Sequence, residues 1–276
     1  MRLIFLLPGK LPLALMRFMA ECTAFIVRHT FIRKMVQENM SLLLPKGQAT
    51  SQNAADLIKN TSYALFELLS LPYFRPEHFQ AINQVVGIEN IAAALTAGKG
   101  AILISIHAGN YEIMPSVVSM HGYPISSVLK ADDAFLDFLN LSRTLGGGKL
   151  INVNRENMFI ESSKALKKNE LIMILSDTGA LDSRHIMHKF LGREVPIATG
   201  WITLAQRAEC AVIPVTCKKT REKNLITFHS PQVITHSNRE EVIGKIINIY
   251  EDFIRNNPDQ WYIFYNTYET RRMVEG

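Results

Sequence analysis

Cysteine is scarce in this chain: Cys22, Cys210 and Cys217 are the only three in 276 residues, and no two form a Cys-x-x-Cys pair. An odd, widely spaced set supports neither a disulfide framework nor a thiolate metal site, and it fits a reducing cytoplasm. Three motifs are also missing: the phosphate loop Gly-x-x-x-x-Gly-Lys-Ser/Thr, the dinucleotide fingerprint Gly-x-Gly-x-x-Gly and the nucleophile elbow Gly-x-Ser-x-Gly. Nucleotide-dependent and serine-hydrolase chemistries therefore have no sequence support. No Gly/Ser- or Pro-rich tract, low-complexity stretch or fixed-period repeat divides the chain, so one large domain is expected.

Charge is unevenly spread. Residues 1–35 hold Arg2, Lys10, Arg17, Arg28, Arg33 and Lys34 against Glu21 alone, a net +5 that equals the formal charge of the whole chain. The same segment is apolar, from Leu3-Ile-Phe-Leu-Leu7 to Phe25-Ile-Val27. Charges at positions 10, 17, 21 and 28 interrupt it too often for the roughly 20 apolar residues of a spanning helix, and no small-residue cleavage site follows its first apolar run. Two readings remain: an interfacial helix, with its apolar face among acyl chains and its cations at anionic headgroups, or an amphipathic helix packed on the domain. We divide the chain into a membrane-associating helical segment, 1–35, and an α/β domain, 36–276. Because the surplus charge sits on an apolar segment rather than a polar stripe, no nucleic-acid partner is expected.

Beyond this segment helix and strand signals alternate. Residues 51–70 have helical apolar spacing, with Ser51 as cap, and Ile88 to Ala97 forms a short helix stopped by Gly98. Strands are predicted at 101–106, 124–129, 149–153, 171–175 and 211–217, a last extended piece at 261–265, and helices at 134–145, 157–168, 199–209 and 240–255. That alternation indicates a single α/β domain with a mostly parallel central sheet flanked by helices, preceded by the N-terminal amphipathic extension.

Chemistry concentrates where two buried strands end. Ala101-Ile-Leu-Ile-Ser-Ile106 delivers His107, followed by Gly109, Asn110 and Glu112, and open α/β sheets collect ligands at the carboxyl ends of their strands. Spacing alone is weak: His-x4-Glu recurs at His236 and Glu241, and chance gives roughly 0.7 such pairs in this composition. The second copy lies in a polar helix start capped by Ser237 or Asn238. His107 is either a strand-end histidine bonded to a local carboxylate or a catalytic base. Asp177, just past the strand 171–175, either caps a turn or opens onto the same face as His107. Arg143 either complements a helix C-terminus or binds a phosphate. Asp177, Asp182, His185 and His188 share no helical face, so no metal site is expected.

Several segments together resemble the bacterial lysophospholipid acyltransferases that include the late lipid A acyltransferases. The likeness rests on His107-Ala-Gly-Asn-Tyr-Glu112, which resembles that family's His-x-Gly-Asn-aromatic-Glu motif, on Leu175-Ser-Asp177, and on Phe190-Leu-Gly-Arg-Glu-Val-Pro196 followed by Thr199-Gly200. It extends to Ala211-Val-Ile-Pro214, Pro258-Asp-Gln-Trp261 and the start Leu11-Pro-Leu-Ala-Leu-Met-Arg17. The resemblance implies a glycerol-phosphate-acyltransferase-like fold. It also implies transfer of a fatty acyl chain from a thioester of acyl carrier protein or CoA to a hydroxyl of a lipid acceptor, at the cytoplasmic face of the bacterial inner membrane. His107 would be the general base and Glu112 would fix its tautomer, with amides around Gly109 and Asn110 as oxyanion donors. Arg143 would meet an acceptor phosphate and Asp177 other acceptor polar groups. No metal or tightly bound cofactor is implied, and acyl carrier protein and the membrane surface are the implied partners.

The chain departs from the pattern at Tyr111, where tryptophan is common, at Thr178, where glutamine is usual, after Trp261, and in the polar run Arg184–Lys189. These departures leave the acceptor open among lipid A, a lysophospholipid, an amino-acid lipid, a glycolipid and a non-lipid metabolite. A thioester hydrolase and an inactive lipid-binding protein of the same fold are the alternatives.

Overall fold

The computed structural model describes residues 13–71, 76–129, 140, 144, 147–152, 158–177 and 184–264. Three helices open it: α1 (Leu13–Val27), α2 (Phe31–Leu43) and α3 (Ser51–Ser70). The expected boundary at residue 35 falls inside α2, because Thr30 caps that helix by accepting from the Ile32 amide at 3.3 Å. For α3 the cap is Thr50 rather than Ser51, and it accepts from the Asn53 amide at 3.0 Å.

The α/β portion follows as α4 (Pro76–Ile82), β1 (Asn83–Val86), α5 (Glu89–Leu95), β2 (Ala101–Ser105), a 3-10 turn (Tyr111–Ile113), α6 (Met114–Met120), β3 (Ile125–Leu129) and β4 (Lys149–Asn152). It continues with α7 (Met158–Lys167), β5 (Leu171–Leu175), β6 (His185–Phe190), β7 (Arg193–Ala198), α8 (Gly200–Ala208), β8 (Ala211–Lys219), β9 (Asn224–Phe228), β10 (Gln232–Val233) and α9 (Arg239–Asn256). The main sheet runs β1-β9-β8-β2-β5-β3-β4, with β10 beside β8. Its pairings are parallel except β8–β9 and β8–β10, so the expected α/β fold with a mostly parallel sheet is what forms. The helix expected at 134–145 lies almost wholly outside the described residues.

All five residues of β2 are buried, since both faces of the sheet are covered. Ile102, Ile104 and Ile106 pack with α2, α7, α8 and α9, whereas Ala101 and Leu103 pack with α4, α5 and α6. Each such isoleucine or leucine, fully withdrawn from water, contributes about 1.5–3 kcal/mol. Apart from the main sheet, β6 and β7 form an antiparallel hairpin whose Phe190 ring packs edge-on to Trp261 at 5.7 Å.

No helix among the described residues is long and apolar enough to cross a membrane. One face of α1, carrying Met16, Ala20 and Ala24, is buried. The opposite face leaves Leu15, Phe18, Phe25 and Ile26 exposed, Phe18 at 64% and Ile26 at 65%. One face of α1 is thus packed on the protein and the other presents apolar side chains.

Candidate active site

Strand register builds the site. In the parallel pair β2–β5, Ser105 stands opposite Leu175, and the Ser176 amide continues the pairing by donating to the Ser105 carbonyl at 2.9 Å. His107 and Asp177 each lie two residues beyond that matched pair. Neighbouring strands are about 4.8 Å apart, so the two side chains emerge side by side. His107 Nδ1 and Asp177 Oδ1 are 2.7 Å apart, and the His107 amide donates to both carboxylate oxygens at 3.1 Å. Trp261 Nε1 donates to Oδ2 at 2.9 Å.

A carboxylate can only accept, so Nδ1 carries the proton and Nε2 is the basic nitrogen of the neutral ring. Burial alone would push the Asp177 carboxyl up. The charge of His107, the ring and indole hydrogen bonds and the His107 amide outweigh burial and hold it below the ordinary carboxylate range. The His107 side chain is 20% exposed and Asp177 7%, an arrangement that keeps the carboxylate ionised behind a ring that solvent and substrate can reach.

Aromatic groups wall the ring. Tyr111 meets His107 edge-on at 4.8 Å, Tyr262 lies 6.3 Å from Tyr111, and Phe264 packs tilted against Tyr262 at 4.8 Å. Burial, and then the charge of Glu112, push the Tyr262 phenol up. The segment after α9 runs alongside the loop: Tyr262 N donates to the His107 carbonyl at 2.6 Å, and Ala108 bridges Trp261. From α9 itself, the Tyr250 hydroxyl donates to the Ile104 carbonyl at 2.6 Å.

The carboxylate at the His107 Nδ1 is that of Asp177, which sequence reading had assigned to acceptor polar groups, while Glu112 sits in the 3-10 turn beside Tyr262. Gly109 does not offer its amide to an oxyanion, because that N–H donates to the Gln260 carbonyl at 2.8 Å. A Cβ at Gly109, where φ is +60°, would stand 2.2 Å from the Cys217 carbonyl oxygen, so this position requires glycine. Asn110, also expected at the substrate, is 2% exposed and turned inward, its Nδ2 donating to Glu67 Oε2 at 2.9 Å. Arg143 lies outside the described residues. His185 and His188, an odd number of residues apart, occupy opposite faces of β6, and Asp182 is outside the described residues. Among the described residues no three His, Cys, Asp or Glu side chains are placed to hold a metal ion.

Sequence reading passed over Glu67 and Lys219. Lys219 Nζ lies 2.5 Å from Glu67 Oε1, both side chains essentially without solvent exposure. The available signal was faint: Glu67 falls four residues after buried Tyr63, on the inner face of α3.

A family model described as bacterial lipid A biosynthesis acyltransferase matches residues 1–270. The chain is 20% identical over 245 residues to a lipid A biosynthesis acyltransferase of Haemophilus influenzae, a match covering 87% of this chain and 76% of that relative. It is 25% identical over 141 residues to a phosphatidylinositol mannoside acyltransferase of Mycobacterium tuberculosis, covering 49% of this chain and 44% of that relative. The chain thus spans less than half the length of the mycobacterial protein. The crystal structure of a 1-acyl-sn-glycerophosphate acyltransferase from Thermotoga maritima gives a TM-score of 0.41 at 13% identity, over 88% of this chain and 97% of that one. With a family match running nearly end to end, the chain belongs to the bacterial lipid A biosynthesis acyltransferase family.

Proposed function

We propose that the protein moves a fatty acyl chain from an acyl thioester, of acyl carrier protein or CoA, to a hydroxyl of a lipid acceptor. The observation that carries this reading is the His107–Asp177 dyad at the open ends of β2 and β5. His107 Nε2 takes the proton of the acceptor hydroxyl as its oxygen attacks the thioester carbonyl, and Asp177 holds the ring and stabilises the imidazolium. The tetrahedral intermediate collapses with loss of the thiolate, which receives the proton from Nε2. No metal or bound cofactor takes part in this scheme. Arg143 is assigned to an acceptor phosphate, whose planar pair of oxygens suits a guanidinium.

The acceptor is reached at a membrane surface, the cytoplasmic face of the inner membrane. The exposed apolar face of α1, with Phe31 at 78% exposure and Arg28, Arg33 and Lys34 nearby, suits an anionic bilayer. An open cleft of about 670 Å³ between α1, α2 and α3, lined by Phe25, Ile26, Arg28, Arg33 and Lys59 among others, lies at the same end.

The test is mass spectrometry of total lipids from cells making the wild type or His107→Ala at matched levels. A lipid gaining one acyl chain with the wild type alone is the expected result, and it names the acceptor. Identical profiles would overturn lipid acylation. Thioester loss that persists without an acylated product would instead indicate a hydrolase.

A further inference from the structure

Behind the His107 loop lies a polar knot that the acyl-transfer scheme does not use. Glu67, from α3, accepts from Lys219 Nζ at 2.5 Å on Oε1, and from Asn110 Nδ2 and Asn224 Nδ2, each at 2.9 Å, on Oε2. Asn224 Nδ2 also reaches Asn83 Oδ1 at 3.0 Å. Glu67, Lys219, Asn110, Asn224 and Gln260 are all at most 2% exposed. The Tyr63 ring, one turn before Glu67, lies 5.8 Å from Lys219 Nζ.

The knot grips the active-site loop from two sides. Asn110, three residues after His107, is tied to Glu67 directly. The Lys219 amide donates to Gln260 Oε1 at 2.7 Å, and the Gln260 carbonyl accepts from Gly109. Immediately after Gln260, Trp261 donates to Asp177 and Tyr262 N to the His107 carbonyl. One buried cluster therefore anchors both the histidine and the carboxylate of the dyad, although α3, β8 and the segment after α9 are far apart in sequence.

A fully buried ion pair is a poor way to gain stability. Removing both charges from water costs several kcal/mol per ion before their attraction is counted, and a well-packed apolar pair of similar volume is often as stable or more so. What such a pair supplies is direction, since each oxygen of Glu67 has a fixed donor.

We propose that Glu67 and Lys219 are positioning residues, which act through Asn110 and Gln260 to hold the His107 Nδ1–H against Asp177. For its catalytic consequence the inference rests on the general-base reading of His107. Its structural content does not depend on that reading.

The test uses the full chain with both charges and the acceptor for Asn110 removed, Glu67→Met with Lys219→Met. Two readouts are taken: the His107 Nδ1-bound proton resonance in protein labelled with ¹⁵N-histidine, assigned by its absence in His107→Ala, and the yield of acylated lipid in cells at matched protein level. Expected are a melting temperature within a few degrees of wild type, loss of the resonance to solvent exchange, and about a tenfold fall in acylated lipid. A folded double variant that keeps the resonance overturns the proposal, whatever its lipid yield. If the double variant does not fold, Asn110→Ala, which cuts only the loop's tie to Glu67, takes its place with the same two outcomes. If His107→Ala leaves the lipid profile unchanged, the acyl-transfer reading fails, and the resonance alone then decides the positioning role.

Discussion

The loop 107–112 has two sides built on opposite principles. In front, His107 is partly open to solvent and faces an aromatic wall, with one buried carboxylate holding its ring. Behind, Gly109 and Asn110 are closed against β8 and α3, and every hydrogen bond described there ends inside the protein. A group that must take and return a proton needs access, whereas the backbone that aims it needs none. The division shows why the residues nearest His107 in sequence serve as scaffold, while the carboxylate that meets its ring comes from another strand.

The comparison is broken most severely by His107→Ala, which should lower turnover 100-fold or more with little change in stability, as read from acylated product and thermal melting. Behind the loop, Gly109→Ala should do the reverse. A Cβ at a positive φ, 2.2 Å from a backbone oxygen, should cost about 3 kcal/mol or more in urea denaturation. Turnover per folded molecule is lost only as the loop shifts.

Asp177→Asn should fall between these two, losing about 10- to 100-fold in turnover, because a carboxamide can present its NH₂ to Nδ1 and favour the wrong tautomer. Its pH signature is specific. The Asp177 pKa is lowered in the folded state, so its contribution to stability is complete above the ordinary aspartate value of about 3.9 and is lost as pH falls through the lower folded value. The stability gap between wild type and Asp177→Asn should hold or widen from neutral pH to about pH 4, since Asp177 also stabilises the protonated ring, and narrow below it as the carboxylate itself is protonated. A gap already closing at pH 6 would sink the assignment.

The smallest effect belongs to the exposed face of α1. Phe18→Glu with Phe25→Glu should leave the melting temperature within about 2 °C, since surface changes away from buried features usually fall within ~0.5 kcal/mol. Cosedimentation with anionic phospholipid vesicles should weaken by about tenfold. Unchanged sedimentation would remove this face from the membrane-binding surface.

Much of the framework was legible. The uninterrupted apolar runs of β2 and β5, the apolar spacing of α3 and the polar start of α9 each announce their element locally. By contrast β6, which reads His-Ile-Met-His-Lys-Phe, escaped notice because apolar Met187 on its exposed side and His188 on its inner side mask the period of two. Neither β1 nor β9 carries an apolar run long enough to announce a strand, and both take their place through pairing with each other and with β8. His107 and Asp177 were each identifiable as polar residues just past a buried strand. Their partnership was not, because it depends on β5 being the strand laid beside β2.

The sequence by itself determined the class of fold, the two strand ends that carry polar chemistry, and the apolar, basic character of the N-terminal segment. All three are local properties of composition and period. Only the tertiary structure decided that Asp177 lies at the imidazole Nδ1, that Gly109 and Asn110 face inward, and that a glutamate from α3 meets a lysine from β8 behind them. Hydrogen bonds and ion pairs act over about 3 Å. Which groups come that close is set by strand order and helix packing, on which residues 70 or 152 positions apart become neighbours.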